Sequence, residues 1–192
     1  MSGGRGRERP RVGVSSCLLG ENVRYDGRNK RDAFVADRLA ALVELVPVCP
    51  EVELGLGVPR ETIRLERRGA PGQQEVRLVE TRSGRDLTAQ MRRWAERRVA
   101  ALAKLDLDGF VLKKDSPSCG IDRVKVWRGR GRASGASRAS NSGTGVFAAV
   151  LQEKLPLLPV EDEDRLQDDV LRERFMERIT AYRRVKGLFR GR

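Results

Sequence analysis

The sequence has 192 residues and a formal net charge of +12, because 39 Lys and Arg side chains outnumber 27 Asp and Glu. Hydrophobic residues make up 39% and charged residues 34%, a balance typical of a globular domain rather than of a disordered chain. The sequence has no histidine. This excludes Ser-His-Asp and Cys-His catalytic centres, an imidazole general base, and zinc or haem sites with histidine ligands.

The first half of the chain predicts a flexible tail over residues 1–10 and then the start of a single α/β domain, which we expect to span residues 11–187. Short β-branched or apolar runs predict strands, and apolar residues at helical spacing predict a helix. Pro47 weakens the second strand, because proline lacks a backbone donor. In chain order we expect a strand at 11–16, a loop at 18–29, a helix at 32–44 and a strand at 45–48.

The second half continues the alternation of strands and helices, which predicts a Rossmann-like open, mainly parallel sheet with helices on both faces. Asp86 is a good N-cap for a long helix that ends at about Leu105. Residues 128–143 are rich in Arg, Gly and Ser and predict a mobile loop. The expected elements are a hairpin of strands 62–66 and 75–80, a helix at 86–105, a strand at 109–112, a helix at 146–154, a strand at 157–160 and a helix at 166–186.

The charge and the cysteine count bound the partners and the compartment. A charge of +12 favours anionic partners such as nucleic acid, nucleotides or acidic lipid, although a solvated basic surface has the same composition. Three cysteines cannot form a complete disulfide framework. Residues 1–11 lack the apolar core of a signal peptide, and no apolar run is long enough to cross a bilayer. We therefore expect a cytoplasmic protein with reduced thiols and no membrane partner.

Each cysteine follows a predicted strand: Cys17 and Cys49 directly, and Cys119 after one short loop. Because parallel strands end at the same edge of a sheet, where ligands bind, the topology predicts that the three thiols meet. Three thiolates without imidazole suit either an iron–sulfur cluster with one iron lacking a protein ligand, or a zinc ion whose fourth ligand is water. Three buried cysteines without a metal are the remaining alternative.

Polar residues beside these cysteines are candidates for chemistry. Glu51 follows Cys49 by two residues and is suited to act as a base or to position water, or else is a surface carboxylate. Ser116 and Ser118 precede Cys119 and either bind water, substrate or sulfur, or cap a proline turn. The remaining candidates are Lys113 and Lys114, which could attract an anion, and Arg24, Tyr25 and Asn29 in the loop after Cys17, which could contact a substrate.

Four segments together resemble a bacterial family whose characterised member is 2-thiouracil desulfurase, over residues 11–158. They are VSSCLLGENVRYDGRNK, VPVCPEVELGLGVPR, VLKKDSPSCG and GTGVFAAVLQ. The resemblance implies that Cys17, Cys49 and Cys119 hold a [4Fe-4S] cluster whose open fourth iron takes sulfur from a thiolated pyrimidine. It implies non-redox cleavage of a C–S bond, which gives uracil or uridine and sulfide.

This resemblance leaves the substrate open between a thiolated nucleobase, nucleoside or nucleotide and a thiolated base within RNA. Under it, Glu51 is the expected base, and Ser116 or Ser118 positions water or substrate. A different class of protein, a non-catalytic iron–sulfur or zinc-binding protein that docks on RNA, is the alternative. A carrier needs no base beside its metal, so Glu51 and the two serines favour the enzyme.

Overall fold

The computed structural model describes residues 9–70, 72–128 and 139–190, which form eight strands and five α-helices. In chain order the strands are β1 (Arg11–Ser15), β2 (Glu44–Val48), β3 (Ile63–Arg68), β4 (Glu75–Glu80), β5 (Gly109–Leu112), β6 (Val124–Arg128), β7 (Ala139–Gly143) and β8 (Val160–Asp162). The helices are α1 (Ala40–Leu42), α2 (Pro50–Glu53), α3 (Thr88–Lys104), α4 (Val146–Lys154) and α5 (Asp169–Arg190).

The first sheet is parallel throughout and has the strand order β2-β1-β5-β8. Its two central strands, β1 and β5, are almost fully buried, as expected for strands covered on both faces. Pro47 lies in β2, which is an edge strand, so its missing N–H interrupts no ladder on the outer side. The prediction of a Rossmann-like, mainly parallel sheet is confirmed.

Helices cover both faces of this sheet, because side chains alternate along each strand. Val12, Val14 and Val111 pack on one face against Phe175 and Ile179 of α5. The opposite face carries the larger core. This core joins α3, α4 and the second sheet through Phe110, Leu112, Trp94, Phe147 and Leu65.

The second sheet has the order β4-β3-β6-β7 and mixed strand directions. The predicted hairpin is present as antiparallel β3 and β4, and β6 adds to β3 in parallel. Sequence patterns did not predict β6 or β7. The expected mobile loop at 128–143 is corrected at both ends, since Arg128 ends β6 and residues 139–143 form β7; residues 129–138 lie outside the described residues.

Three further predictions need correction or refinement. The helix expected at 32–44 is a π-helical segment, Phe34–Leu39, that continues into α1. The strand expected at 157–160 begins only at Val160, because Leu157 is exposed and Pro159 has no N–H to pair. Of the predicted tail, Arg9 and Pro10 contact the domain: Arg9 Nη2 donates to the Ala40 carbonyl oxygen at 2.6 Å, and the Pro10 carbonyl accepts the Glu44 N–H.

None of the helices that the structure describes is long and apolar enough to cross a membrane.

A close approach in the first sheet gives a stability test. Gly13 of β1 pairs with Phe110 of β5, and a Cβ atom at Gly13 would overlap the Phe110 ring. We expect Gly13→Ala to lower the free energy of unfolding by about 1–3 kcal/mol, the usual cost of overpacking a core. Denaturant titration followed by circular dichroism measures this change.

The matched control is Gly187→Ala, because a Cβ atom there meets open space on α5. This variant should unfold at the wild-type denaturant concentration or slightly above it. Equal stability of the two variants would contradict the packing argument.

Candidate active site

The three cysteines lie at neighbouring strand ends and line one cavity of about 430 Å³. Cys17 lies in the 3₁₀ turn Ser16–Leu19 that follows β1. Cys49 separates β2 from α2, and Cys119 lies in the loop after β5. Because β1 pairs with both β2 and β5 in parallel, their carboxyl ends bring the thiols together.

The surroundings of these thiols oppose their ionisation. Burial raises the pKa of Cys17 to about 11, with a further contribution from Cys49, while Lys113 acts in the opposite direction. Burial also raises the pKa of Cys49. Burial raises the pKa of Cys119 most strongly, and the negative charges of Glu51 and of the other two cysteines add to this. A bound cationic group is therefore needed to hold three thiolates here.

The donor set fits an iron–sulfur cluster better than a single ion. Within the described ranges, no three His, Cys, Asp or Glu side chains are arranged to hold one metal ion. Sulfur ligands of one tetrahedral zinc lie only about 4 Å apart, since each Zn–S bond is short. A cluster accepts a wider arrangement because each cysteine binds a different iron. Soft thiolates without imidazole suit this chemistry.

Glu51 lies in the first turn of α2 and is held by hydrogen bonds at both carboxylate oxygens. Arg60 donates to Oε2 from Nε at 2.9 Å and from Nη2 at 2.5 Å. Ser118 Oγ donates to Oε1 at 2.7 Å. The Arg60 side chain is 5% exposed and that of Glu51 is 15% exposed, so the pair is shielded from solvent. Charge-assisted bonds of this kind fix the orientation of the carboxylate.

Ser116 and Ser118 extend this network toward Cys119. The two hydroxyl oxygens lie 3.0 Å apart. Ser116 Oγ accepts the backbone N–H of Ser118 at 3.3 Å and that of Cys119 at 3.1 Å. Ser118 is buried, whereas Ser116 is half-buried. The result is a continuous row of polar groups from Ser116 through Ser118 and Glu51 to Arg60.

The start of α4 supports the loop that carries Cys119. Phe147 and Ala148 donate their N–H groups to the Ser118 carbonyl oxygen, at 2.9 and 3.2 Å. A Cβ atom at Gly145 would lie 2.5 Å from that carbonyl group. Only glycine therefore allows helix and loop to approach this closely. This explains the second glycine, Gly145, in the motif GTGVFAAVLQ.

Lys113 and Lys114 line the cavity, but their charges are paired. Lys113 Nζ forms an ion pair with Glu163, and Lys114 Nζ pairs with Asp164 at 2.5 Å. Glu163 also accepts the backbone N–H of Lys114 at 2.8 Å. Both lysines therefore help to fix the end of β5 to the segment after β8.

The loop after Cys17 contributes Arg24 and Tyr25 to the cavity wall. The Arg24 guanidinium lies over the Tyr25 ring, 5.3 Å from its centroid. Asn29 is not among the residues that line the cavity. Its side chain instead orders the loop, donating to Asn22 Oδ1 at 2.8 Å and accepting the Arg31 N–H at 3.2 Å. Lys30 lines the cavity in its place.

Besides Lys30, two residues that hold the site together were not predicted by the sequence analysis. Arg60 joins three segments, because it binds Glu51 and the Gly57 carbonyl through its side chain and the Tyr25 carbonyl through its N–H. Ser15 accepts the Lys113 N–H at 3.0 Å, and its hydroxyl group acts against burial to lower the pKa of Cys119. Both residues lie within the sequence motifs quoted above, and this position is the signal from which their role could have been predicted.

Comparisons with known proteins agree with the resemblance found in the sequence. The sequence profile of the 2-thiouracil desulfurase family matches residues 12–163. The uncharacterized protein YbbK of Bacillus subtilis (strain 168) is 30% identical over 146 residues, which make up 73% of this chain and 88% of that protein. A solved structure described as the [4Fe-4S]-dependent thiouracil desulfidase TudS is 33% identical, with a TM-score of 0.60. The match covers 83% of this chain and 94% of the chain of that structure.

The environment of Cys17 predicts the pH dependence of its alkylation. With a pKa of about 11, the thiol of the folded, metal-free protein stays protonated until the pH approaches that value. At pH 8 only about one molecule in a thousand carries the reactive thiolate, so iodoacetamide should modify Cys17 slowly. The rate should rise about tenfold per pH unit between pH 8 and 10, as measured by mass spectrometry of the Cys17 peptide.

The same protein in denaturant is the control, where the rate should level off near the ordinary thiol pKa. A folded-state profile that levels off below pH 9 would show that burial does not protect Cys17.

Proposed function

The chain belongs to the 2-thiouracil desulfurase family and is an enzyme that cleaves a C–S bond, and we propose that it converts a thiolated pyrimidine and water into the oxygen analogue and sulfide. The observation that carries this proposal is the convergence of three thiols with the Glu51–Ser118 pair on one cavity. Carbon keeps its oxidation state when oxygen of water replaces sulfur, so the reaction requires no reductant.

Cys17, Cys49 and Cys119 are the proposed ligands of a [4Fe-4S] cluster in this cavity. When bound, the cluster supplies an iron without a protein ligand, a soft Lewis acid that suits a thiocarbonyl sulfur. The solved relative is described as [4Fe-4S]-dependent, which supports an iron–sulfur cofactor in this family.

Glu51 is the proposed general base. Arg60 occupies Oε2 with two hydrogen bonds, so the other oxygen, Oε1, is left for chemistry. Oε1 accepts one bond from Ser118 and keeps a second lone pair, since a carboxylate oxygen accepts two hydrogen bonds. It takes the proton of a water molecule that adds to the ring carbon bearing sulfur.

The two serines have different proposed roles. The Ser118 proton points to Glu51, so Ser118 keeps Oε1 in place and links the base to Ser116. Ser116 accepts two backbone N–H groups, and its own hydroxyl proton is donated to Ser118 Oγ, because the Ser118 proton is already bound to Glu51. A water molecule or substrate at Ser116 therefore takes the place of Ser118 as the acceptor of this proton. As the more exposed of the two, Ser116 is the proposed contact to the attacking water or to the substrate.

The size of the cavity suits a pyrimidine compound. A volume of about 430 Å³ falls in the usual range for small-ligand sites. Tyr25, which is 40% exposed, is the proposed stacking surface for the ring, and Arg24 is the proposed contact to a phosphate where the substrate is a nucleotide. The family description and the solved relative name thiouracil, and RNA stays a prediction.

Anaerobic reconstitution followed by a substrate panel tests the function. We expect 2-thiouracil, 4-thiouracil or one of their nucleosides or nucleotides to release one sulfide per oxygen analogue formed, without an electron donor. Strict dependence on a reductant at every turnover would contradict the proposed hydrolytic exchange of sulfur for oxygen.

Replacing the proposed ligands tests the cluster. Cys17→Ala, Cys49→Ala and Cys119→Ala should each lose most of the bound iron and acid-labile sulfide, and with them the activity, because each removes one of only three thiolates. Elemental analysis and the visible absorbance spectrum measure the loss. A variant with full iron content would remove that cysteine from the ligand set.

Replacing the proposed base tests the chemistry. Glu51→Gln should keep the cluster and lower kcat by about 10²–10⁴-fold, the range for loss of a general base. Glu21→Gln is the control, since Glu21 is an exposed carboxylate of the loop after Cys17 and is not among the cavity-lining residues. Wild-type turnover by Glu51→Gln with its cluster intact would reduce Glu51 to a structural role.

A further inference from the structure

A second concave surface lies on the β3–β6 side of the molecule. This basic groove encloses about 1160 Å³ and is formed by β3, the turn after β4, and the facing ends of β6 and β7. Its lining carries five arginines against two glutamates, an excess of three positive charges. They are Arg64, Arg67, Arg68, Arg82 and Arg128, with Glu66 and Glu80.

Glu66 orders two of these arginines. It is only 4% exposed and accepts hydrogen bonds from Arg64 Nη2 at 2.6 Å and from Arg68 Nε at 3.0 Å. Each guanidinium has five donors, so both keep N–H groups for another anion. The second glutamate, Glu80, is bound by Arg85 at 2.9 Å.

The other three arginines are open to a ligand. In the part of the chain that the structure describes, no acidic side chain forms an ion pair with Arg67, Arg82 or Arg128. Arg82 and Arg128 are exposed and Arg67 is half-buried. Guanidinium groups of this kind bind phosphate oxygens in a bidentate geometry.

The basic groove begins next to the cysteine cavity. Thr62 and Ile63 line the cavity, whereas Arg64 and Thr81 line the groove. The hydroxyl groups of Thr62 and Thr81 are 2.5 Å apart, so the two sites share a border. From that border β3 extends for about 17 Å, at 3.3 Å per residue, which is longer than a single phosphate requires.

We propose that the basic groove binds the phosphodiester backbone of a single-stranded oligonucleotide whose thiolated base enters the cysteine cavity. This inference rests on the proposed function and extends its substrate from a free base to an RNA strand. A base must leave its stack to enter such a cavity, which favours single strands. The Arg64 guanidinium lies 5.8 Å from the centroid of the Trp127 ring, and basic residues beside an aromatic ring are typical of such surfaces.

The test measures docking without turnover. The probe is a labelled, unthiolated oligouridylate of about 12 nucleotides, a length that suits known single-strand sites. Its binding to the reconstituted protein is followed by fluorescence anisotropy. The triple variant Arg67→Glu, Arg82→Glu, Arg128→Glu should bind at least about tenfold more weakly than the unmodified protein. The slope of log affinity against log salt should fall by about 2, the value for three lost phosphate contacts.

The matched control reverses three other exposed arginines: Arg93→Glu, Arg97→Glu and Arg174→Glu. It has the same net charge as the first variant and should bind the oligouridylate more tightly than that variant does. An equal loss of affinity in both variants, or wild-type affinity in the first, would overturn the proposal that the groove binds the oligonucleotide. Binding of poly-glutamate as tight as that of the oligouridylate would also overturn it and indicate an acidic protein partner.

A second measurement does not depend on the folding of a triple variant. Trp127 is half-buried beside Arg64, whereas Trp94 is buried in the core. Binding of the oligouridylate should quench tryptophan fluorescence in the unmodified protein, and Trp127→Phe should abolish the quenching. Quenching that survives in Trp127→Phe would overturn the proposed location. Because the probe carries no sulfur, these results are independent of whether the chain desulfurates thiouracil.

Discussion

Parallel pairing of β1 with β2 on one side and with β5 on the other is the constraint on which the site depends. It places three chain segments, far apart in sequence, at one edge of a sheet that is buried on both faces. Gly13 permits this pairing to remain tight, because the Phe110 ring occupies the space of its missing side chain. The positions of Cys17, Cys49 and Cys119 are therefore a property of the core and not of flexible loops.

A second layer of order comes from one buried ion pair. Arg60 binds Glu51 while it also holds the Gly57 carbonyl and the Tyr25 carbonyl. The side chain of Arg60 thus orients the carboxylate proposed as the base, while the backbone N–H of the same residue holds the loop over the cavity.

The local sequence pattern predicted the elements whose residues have a strong preference for strand or helix. The apolar β1 and β5, the hairpin of β3 and β4, and the amphipathic α3 are of this kind. Topology alone then predicted that the cysteines meet. The strand β7 has the sequence ASNSG, which favours a loop, and it forms because β6 offers it hydrogen bonds. The contact of Arg60 with Glu51 depends on how an irregular segment folds back, which no periodicity encodes.

The attachment of α4 to the Cys119 loop has a consequence for local opening. The N–H groups of Phe147 and Ala148 are bound to the Ser118 carbonyl. The Phe147 ring packs 5.7 Å from those of both Trp94 and Phe110. The loop is therefore joined through α4 to a buried aromatic cluster of the core. The N–H groups of Phe147 and Ala148 therefore exchange with solvent only when the contact between α4 and this loop opens, so the junction that supports one wall of the cavity should be slow to exchange.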